Sequence, residues 1–327
     1  MRETRYPSVL ASSILYLVVL LLMIVMPLLF SGQIDMENEP ILYYIMTFSL
    51  EVTIIGLPPL IYLLATKKDV KEVARFNPLT KRQGWLVVGM AVFGYCVIIF
   101  INIIWLWLLS FIGTPTAPPS PPVENLWQYL LGVICVGAVP AFVEEFLFRG
   151  VILRGYENIG RTAAVVLTGI LFALLHMSVV TLPAIILLGI VISYVVQKSN
   201  SIWAGFIYHF TNNTIAVTAT YIQSKVQGLY AENEIMMQDI SKLPKGAILA
   251  GIGFWAIIAV LALWAFISCF KSFNKETKGT SVYVEEDGAM VSPIRWSMVD
   301  MMPAIVAVII VGIFIAIEIL GMRNGFI

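Results

Sequence analysis

Long apolar runs separated by short polar breaks dominate the chain, and they are too long and too uniformly apolar for the alternating strands or one-faced helices of a water-soluble fold. A hydrocarbon core about 30 Å thick needs about 20 apolar residues per crossing helix. Nine candidates follow one another, at approximately residues 8–30, 41–65, 84–111, 126–153, 162–180, 183–197, 201–221, 247–270 and 303–322. The sixth is short, as expected of a span with little tilt or one that is partly re-entrant. The pattern predicts an all-α, polytopic transmembrane helical bundle of about 8–9 spans, forming one membrane domain over residues 1–327. Residues 1–125 would hold three leading helices and an outer Pro-rich loop, 126–222 a central block, and 223–327 the C-terminal helices and loops.

Composition agrees: 59% of residues are apolar and 12% charged, with a mean hydropathy of +0.90, whereas a soluble domain carries about 25% charged residues. The lipid bilayer is thus the first partner. A net charge of zero gives no basic surface for nucleic acid. Lys and Arg collect in cytoplasmic loops, and an inside N-terminus places fifteen of the twenty there, from Arg2 and Arg5 through the 67–82 cluster to Arg154, Arg161, Lys198, Lys271 and Arg295. Arg149 alone is left inside a span. The first run exceeds the 7–15 residues of a signal-peptide core and has no convincing small-x-small cleavage site, so it reads as a retained helix. Cys96, Cys135 and Cys269 fall within spans and read as small core residues. The 114–122 stretch is a stiff Pro-rich spacer, and among the longer loops, 222–246 and 271–302, a short surface helix is expected over Ile235 to Ile240.

Polar chemistry concentrates in the central block. Glu144 and Glu145 lie in one apolar stretch, and the only two histidines, His176 and His209, lie in two others. An isolated ionised group there costs several kcal/mol or more to desolvate. Glu145 and Arg149, four residues apart, share a helix face and are expected to pair. Glu144, rotated about 100° around the helix, would then be the unpaired acid. Phe172 and His176 share a face, as do His209 and Asn213, whereas Asn212 points elsewhere and reads as a helix-packing hydrogen bonder. At about 1.5 Å per residue, the acid, the imidazoles and the amide reach comparable depths near mid-membrane. A carboxylate sheltered from water is a strengthened general base, and an imidazole and an amide are donors for a developing oxyanion. The set reads as amide hydrolysis by activated water, with no Ser or Cys nucleophile.

The series Glu144-Glu145-x-x-x-Arg149, Phe172-x-x-x-His176 and His209-x-x-x-Asn213 resembles the three motifs of the CAAX protease and bacteriocin-processing (Abi) family of intramembrane endopeptidases, which includes the Ras-converting CAAX endopeptidase. The resemblance covers roughly residues 126–222, making that block the catalytic core. It implies water activation by Glu144 and His176, an oxyanion site from His209 and Asn213, and support from Glu145, Arg149 and Phe172. It also implies a peptide or membrane-protein substrate, such as a prenylated tail in eukaryotes or a leader or signalling peptide in bacteria. No cofactor is favoured. Zinc on Glu144, His176 and His209 is the alternative, against which stand the absence of a His-Glu-x-x-His motif and the poor ligand Asn213. A bacterial plasma membrane is the expected home, and the oligomeric state is open.

Two other classes compete. A proton-coupled transporter would show inverted repeats and helix breakers in paired positions, and a silent scaffold or immunity protein would lose a motif residue; the chain shows neither feature. Glu51 reads as an interhelical hydrogen bonder or a further acid facing the same site. Glu318, near the outer end of the last span, is expected to reach Arg323 or snorkel.

Overall fold

In the computed structural model the described residues are 5–30, 39–115, 123–232, 245–278 and 296–324. Among them nine long helices stand where the apolar runs predict them, and no strand occurs. They are α1, Val9–Phe30; α2, Pro40–Ala65, α3, Lys81–Leu109, and α4, Leu126–Tyr156; α5, Arg161–Leu175; α6, Leu182–Ser199; α7, Ile202–Glu232; α8, Lys245–Glu276; and α9, Met302–Asn324. Seven are long and apolar enough to cross a membrane, and the chain is an integral membrane protein. The two that fall short are α5, with 15 residues, and α7, with 31 residues but a more polar sequence. Both lie next to the histidines.

Several boundaries differ from the sequence expectation. α5 stops at Leu175, not near 180, and residues 176–181 form a turn before α6. α7 runs on to Glu232 and α8 to Glu276, so the starts of both expected long loops are helical. A single 3₁₀ turn, Met298–Met301, with Ser297 and Asp300 forming a capping box, leads into α9. The expected surface helix at Ile235 to Ile240 and most of the Pro-rich spacer lie outside the described residues.

Local sequence explains the breaks inside the long helices. α2 widens into a π turn over Glu51–Gly56 and α4 into another over Val133–Ala138. In each case prolines follow: Pro58 and Pro59 cannot donate to Ile54 and Ile55, and Pro140 cannot donate to Val136. A missing donor and a ring clash with the carbonyl four residues back widen the preceding turn. A third π turn, Phe146–Ile152, carries Arg149. Thr80 and Gln83 form a capping box that starts α3, and Asn200, left-handed at φ 51°, stops α6.

Half of α4 is buried, because it is wrapped by its neighbours. α1 is fastened along it by Ser12 donating to Val151 O (3.4 Å) and by the Ser13–Tyr156 hydroxyl pair (3.1 Å), while Tyr16 donates to Leu171 O on α5 (3.0 Å). Gly169 and Gly189 let α5 and α6 meet backbone to backbone: a Cβ on Gly189 would lie 2.8 Å from Gly169 O, the small-residue contact that membrane helices use. The outer faces of α3, α8 and α9 present exposed Trp85, Trp264, Ile309 and similar residues, as lipid contact requires.

The segments expected to share one side gather at one end of the bundle. There the buried Arg75 donates to Asn200 Oδ1 (3.2 Å), Arg149 O (3.2 Å) and Glu157 (2.5 Å), Arg154 reaches Glu157 and Glu72 O, and Arg82 pairs with Glu276 (3.1 Å). The loop between α2 and α3 is thereby locked onto α4, α6 and α7.

Candidate active site

Arg149 and Glu145 pair as their spacing predicts, Nη1 to Oε1 at 2.8 Å, with both side chains fully buried. The other two guanidinium nitrogens also donate, Nε to Ser193 Oγ (3.2 Å) and Nη2 to Gly189 O (3.0 Å). Its carbon stands 4.6 Å from the centre of the Phe172 ring, a cation–π contact in a site without bulk water.

The pair is not closed. His209 Nδ1 lies 3.0 Å from the same Glu145 Oε1, and His209 Nε2 lies 3.8 Å from Glu144 Oε2. His209 therefore stands between the two carboxyls, an arrangement that sequence spacing does not contain because it depends on how α7 registers against α4. With Nδ1–H donated to Glu145, Nε2 faces Glu144 either as a lone pair or as N–H. A lone pair opposite an ionised carboxylate would be repulsive. A proton on Glu144 or on His209 Nε2 relieves that repulsion, and either placement leaves Glu144, Glu145, Arg149 and His209 neutral as a group, which favours their burial.

Phe172 joins three of the motif residues, Arg149, His176 and His209. Its ring contacts His176 (centroids 5.1 Å apart), His209 (5.6 Å) and Phe148 (5.1 Å) edge to face. His176 caps the end of α5, and its Nδ1 is 2.9 Å from Phe172 O. A carbonyl can only accept, so Nδ1 carries a hydrogen, and in the neutral imidazole Nε2 then presents its lone pair.

Asn213, one turn beyond His209, donates to Val136 O at 3.1 Å, the carbonyl that Pro140 cannot serve. One amide hydrogen is occupied in this way and the second remains. Asn212, expected to bond to a neighbouring helix, instead donates to Asn213 Oδ1 on its own helix at 3.4 Å, and its Oδ1 has no hydrogen-bond partner. Glu51, at the start of the α2 π turn, is half-buried, with its Oε2 sheltered and without a hydrogen-bond partner. Glu318 departs from expectation: rather than reaching Arg323 or snorkelling, it accepts from Ser178 Oγ (2.9 Å) and Val179 N (2.6 Å) in the turn after His176.

Among the described residues no three His, Cys, Asp or Glu side chains gather as a metal-binding group, the set Glu144, His176 and His209 included.

At Gly205, one turn before His209, the backbone of α7 passes close to the site: a Cβ there would collide with Glu145 Oε2 and come 2.7 Å from Val196 Cγ2. Gly205→Ala is expected to lower unfolding free energy by about 1–3 kcal/mol, the usual overpacking cost, in a denaturant titration of the detergent-solubilised protein. A variant as stable as the parent would show that the carboxylate has room to move.

No curated protein and no solved structure matches the chain. Residues 126–215, the stretch that carries Glu144, Glu145, Arg149, Phe172, His176, His209 and Asn213, match the family described as Type II CAAX prenyl endopeptidase Rce1-like, so over that stretch the chain is similar to the family whose motifs its sequence resembles.

Proposed function

We propose that the chain is an endopeptidase that hydrolyses a peptide bond in a membrane-associated peptide or protein, with Glu144 and His176 activating water. Glu144 takes a proton from water as the oxygen attacks the scissile carbonyl, and His176 Nε2 holds that water by its lone pair. The carbonyl oxygen becomes an oxyanion and accepts from His209 Nε2–H and from the second amide hydrogen of Asn213. Collapse breaks the C–N bond, and the proton on Glu144 passes to the leaving nitrogen. Glu145, held by Arg149, orients His209 through Nδ1 and stabilises its protonated form. The observation that carries this reading is the buried, hydrogen-bond-free Glu144 Oε2 facing an imidazole whose other nitrogen is fixed on Glu145.

The family description points to a tail with an apolar, prenyl-type anchor as substrate, and the protein would work in a bacterial plasma membrane with its N-terminus cytoplasmic. Purified protein in lipid nanodiscs, offered a farnesylated CAAX peptide and an unlipidated peptide of the same sequence, tests the activity and its lipid requirement. Cleavage of neither, nor of leader peptides of membrane-bound substrates, would sink the reading.

No metal enters the scheme. Turnover is expected to survive dialysis against EDTA and 1,10-phenanthroline, and the active protein to hold well below one zinc per chain by atomic emission. Stoichiometric zinc, lost with activity and restored on adding zinc back, would overturn the roles given to Glu144 and His176, because a three-ligand site depends on each ligand.

A further inference from the structure

α5 is too short to cross a bilayer. Its 15 residues rise about 22 Å at 1.5 Å each, against a core about 30 Å thick. Counted from the charged end marked by Arg161 and Lys198, the turn 176–181 therefore lies at hydrocarbon depth. Non-helical backbone at that depth persists only where protein satisfies its polar groups. Here the partners come from helices far away in sequence, outside the stretch that matches the family. Trp105 Nε1 on α3 donates to Val179 O at 2.7 Å. Glu318 on α9 accepts the Val179 N–H at 2.6 Å and the Ser178 hydroxyl at 2.9 Å, and Ser178 Oγ in turn accepts from Val180 N at 3.2 Å.

The surroundings make this a built clamp. Val179, Val180, Leu109 and Met322 form a separate buried cluster, packed by Trp105 and Ile319. The chain after α3 is fixed to the end of α9 as well, Thr114 N donating to Met322 O at 3.2 Å. The residue between the clamp and His176 is Met177, in the left-handed region at φ 49°, a conformation a methionine keeps only when its surroundings impose it.

We infer that Glu318, with Trp105, is a positioning element for His176: α3 and α9 hold the turn that fixes where the imidazole ends. This rests on the reading that His176 acts on the water. Glu318 touches no substrate, and its effect is exerted through the backbone of Ser178 and Val179. A displacement on the order of 1 Å in such a group costs up to about 100-fold in rate.

Full-length protein in nanodiscs, a farnesylated CAAX peptide, and hydrogen–deuterium exchange over residues 176–181 test it. Glu318→Ala is expected to lower kcat by about 10- to 100-fold with KM little changed, and to speed exchange at the turn but not in α1 or α2. Glu318→Gln, which keeps a carbonyl for the Val179 N–H and an amide for Ser178 Oγ, is expected to recover most of the kcat. Trp105→Phe removes only the indole donor and serves if Glu318→Ala does not fold; it is expected to lower kcat in the same direction. Unchanged kcat in Glu318→Ala, or in Trp105→Phe where that variant stands in, with His176→Ala inactive, would overturn the clamp and leave the site reading intact. Full turnover in His176→Ala would instead overturn the site reading itself.

Discussion

Glu144→Gln is expected to remove about 10²- to 10⁴-fold of kcat, the usual contribution of a positioned general base, while the unfolding midpoint stays near that of the parent. The reason is that Glu144 faces His209 Nε2 across a gap that a neutral donor can also fill. The glutamine amide has the shape of the acid and can donate toward His209 Nε2, 3.8 Å from the present Oε2, so neither the packing nor the neutrality of the group is disturbed. What is lost is the capacity to take a proton from water and return it to the leaving nitrogen. Single-turnover cleavage of a farnesylated peptide separates this from substrate binding, since binding should be retained. Turnover within a few-fold of the parent would remove Glu144 from the chemistry.

How much of this was legible beforehand depends on whether the determining contact is local. Seven of the helices follow from bilayer thickness, which forces length and apolarity onto each crossing segment, and the Glu145–Arg149 pair follows from a four-residue spacing. The end of α5 was hidden, because Val179 and Val180 continue the apolar run past His176; what ends the helix is the set of tertiary partners for the turn, Trp105 and Glu318. The sequence neighbour Arg323 drew attention from that role of Glu318, since nothing local says that a carboxylate on α9 faces backbone from the α5–α6 turn. His209 between two carboxyls was likewise invisible, being a matter of helix register. The Asn213 contact did leave a signal: Pro140 announces that Val136 O lacks its helical donor, and a polar side chain from a neighbouring helix is the natural substitute in a medium without water.

Arg149→Ala is expected to destabilise the protein by about 3–5 kcal/mol, the cost of leaving one member of a buried ion pair behind. The guanidinium holds three acceptors at once, Glu145 Oε1, Ser193 Oγ and Gly189 O, with the Phe172 face against it, and no water is at hand to replace them. His209 can answer only part of the loss, by keeping its proton beside Glu145. The variant would then bind the imidazolium more tightly to Glu145 and lose rate as well as stability. Converting the pair to Glu145→Gln with Arg149→Met removes the uncompensated charge and fills the volume, so folded yield and the midpoint of a denaturant titration should recover in part. Activity should not, because a glutamine cannot balance a protonated His209. If the single variant is as stable as the parent, or the double variant is no more stable than the single one, the charge of Glu145 is not what Arg149 compensates, and the neutrality argument for the whole site falls with it.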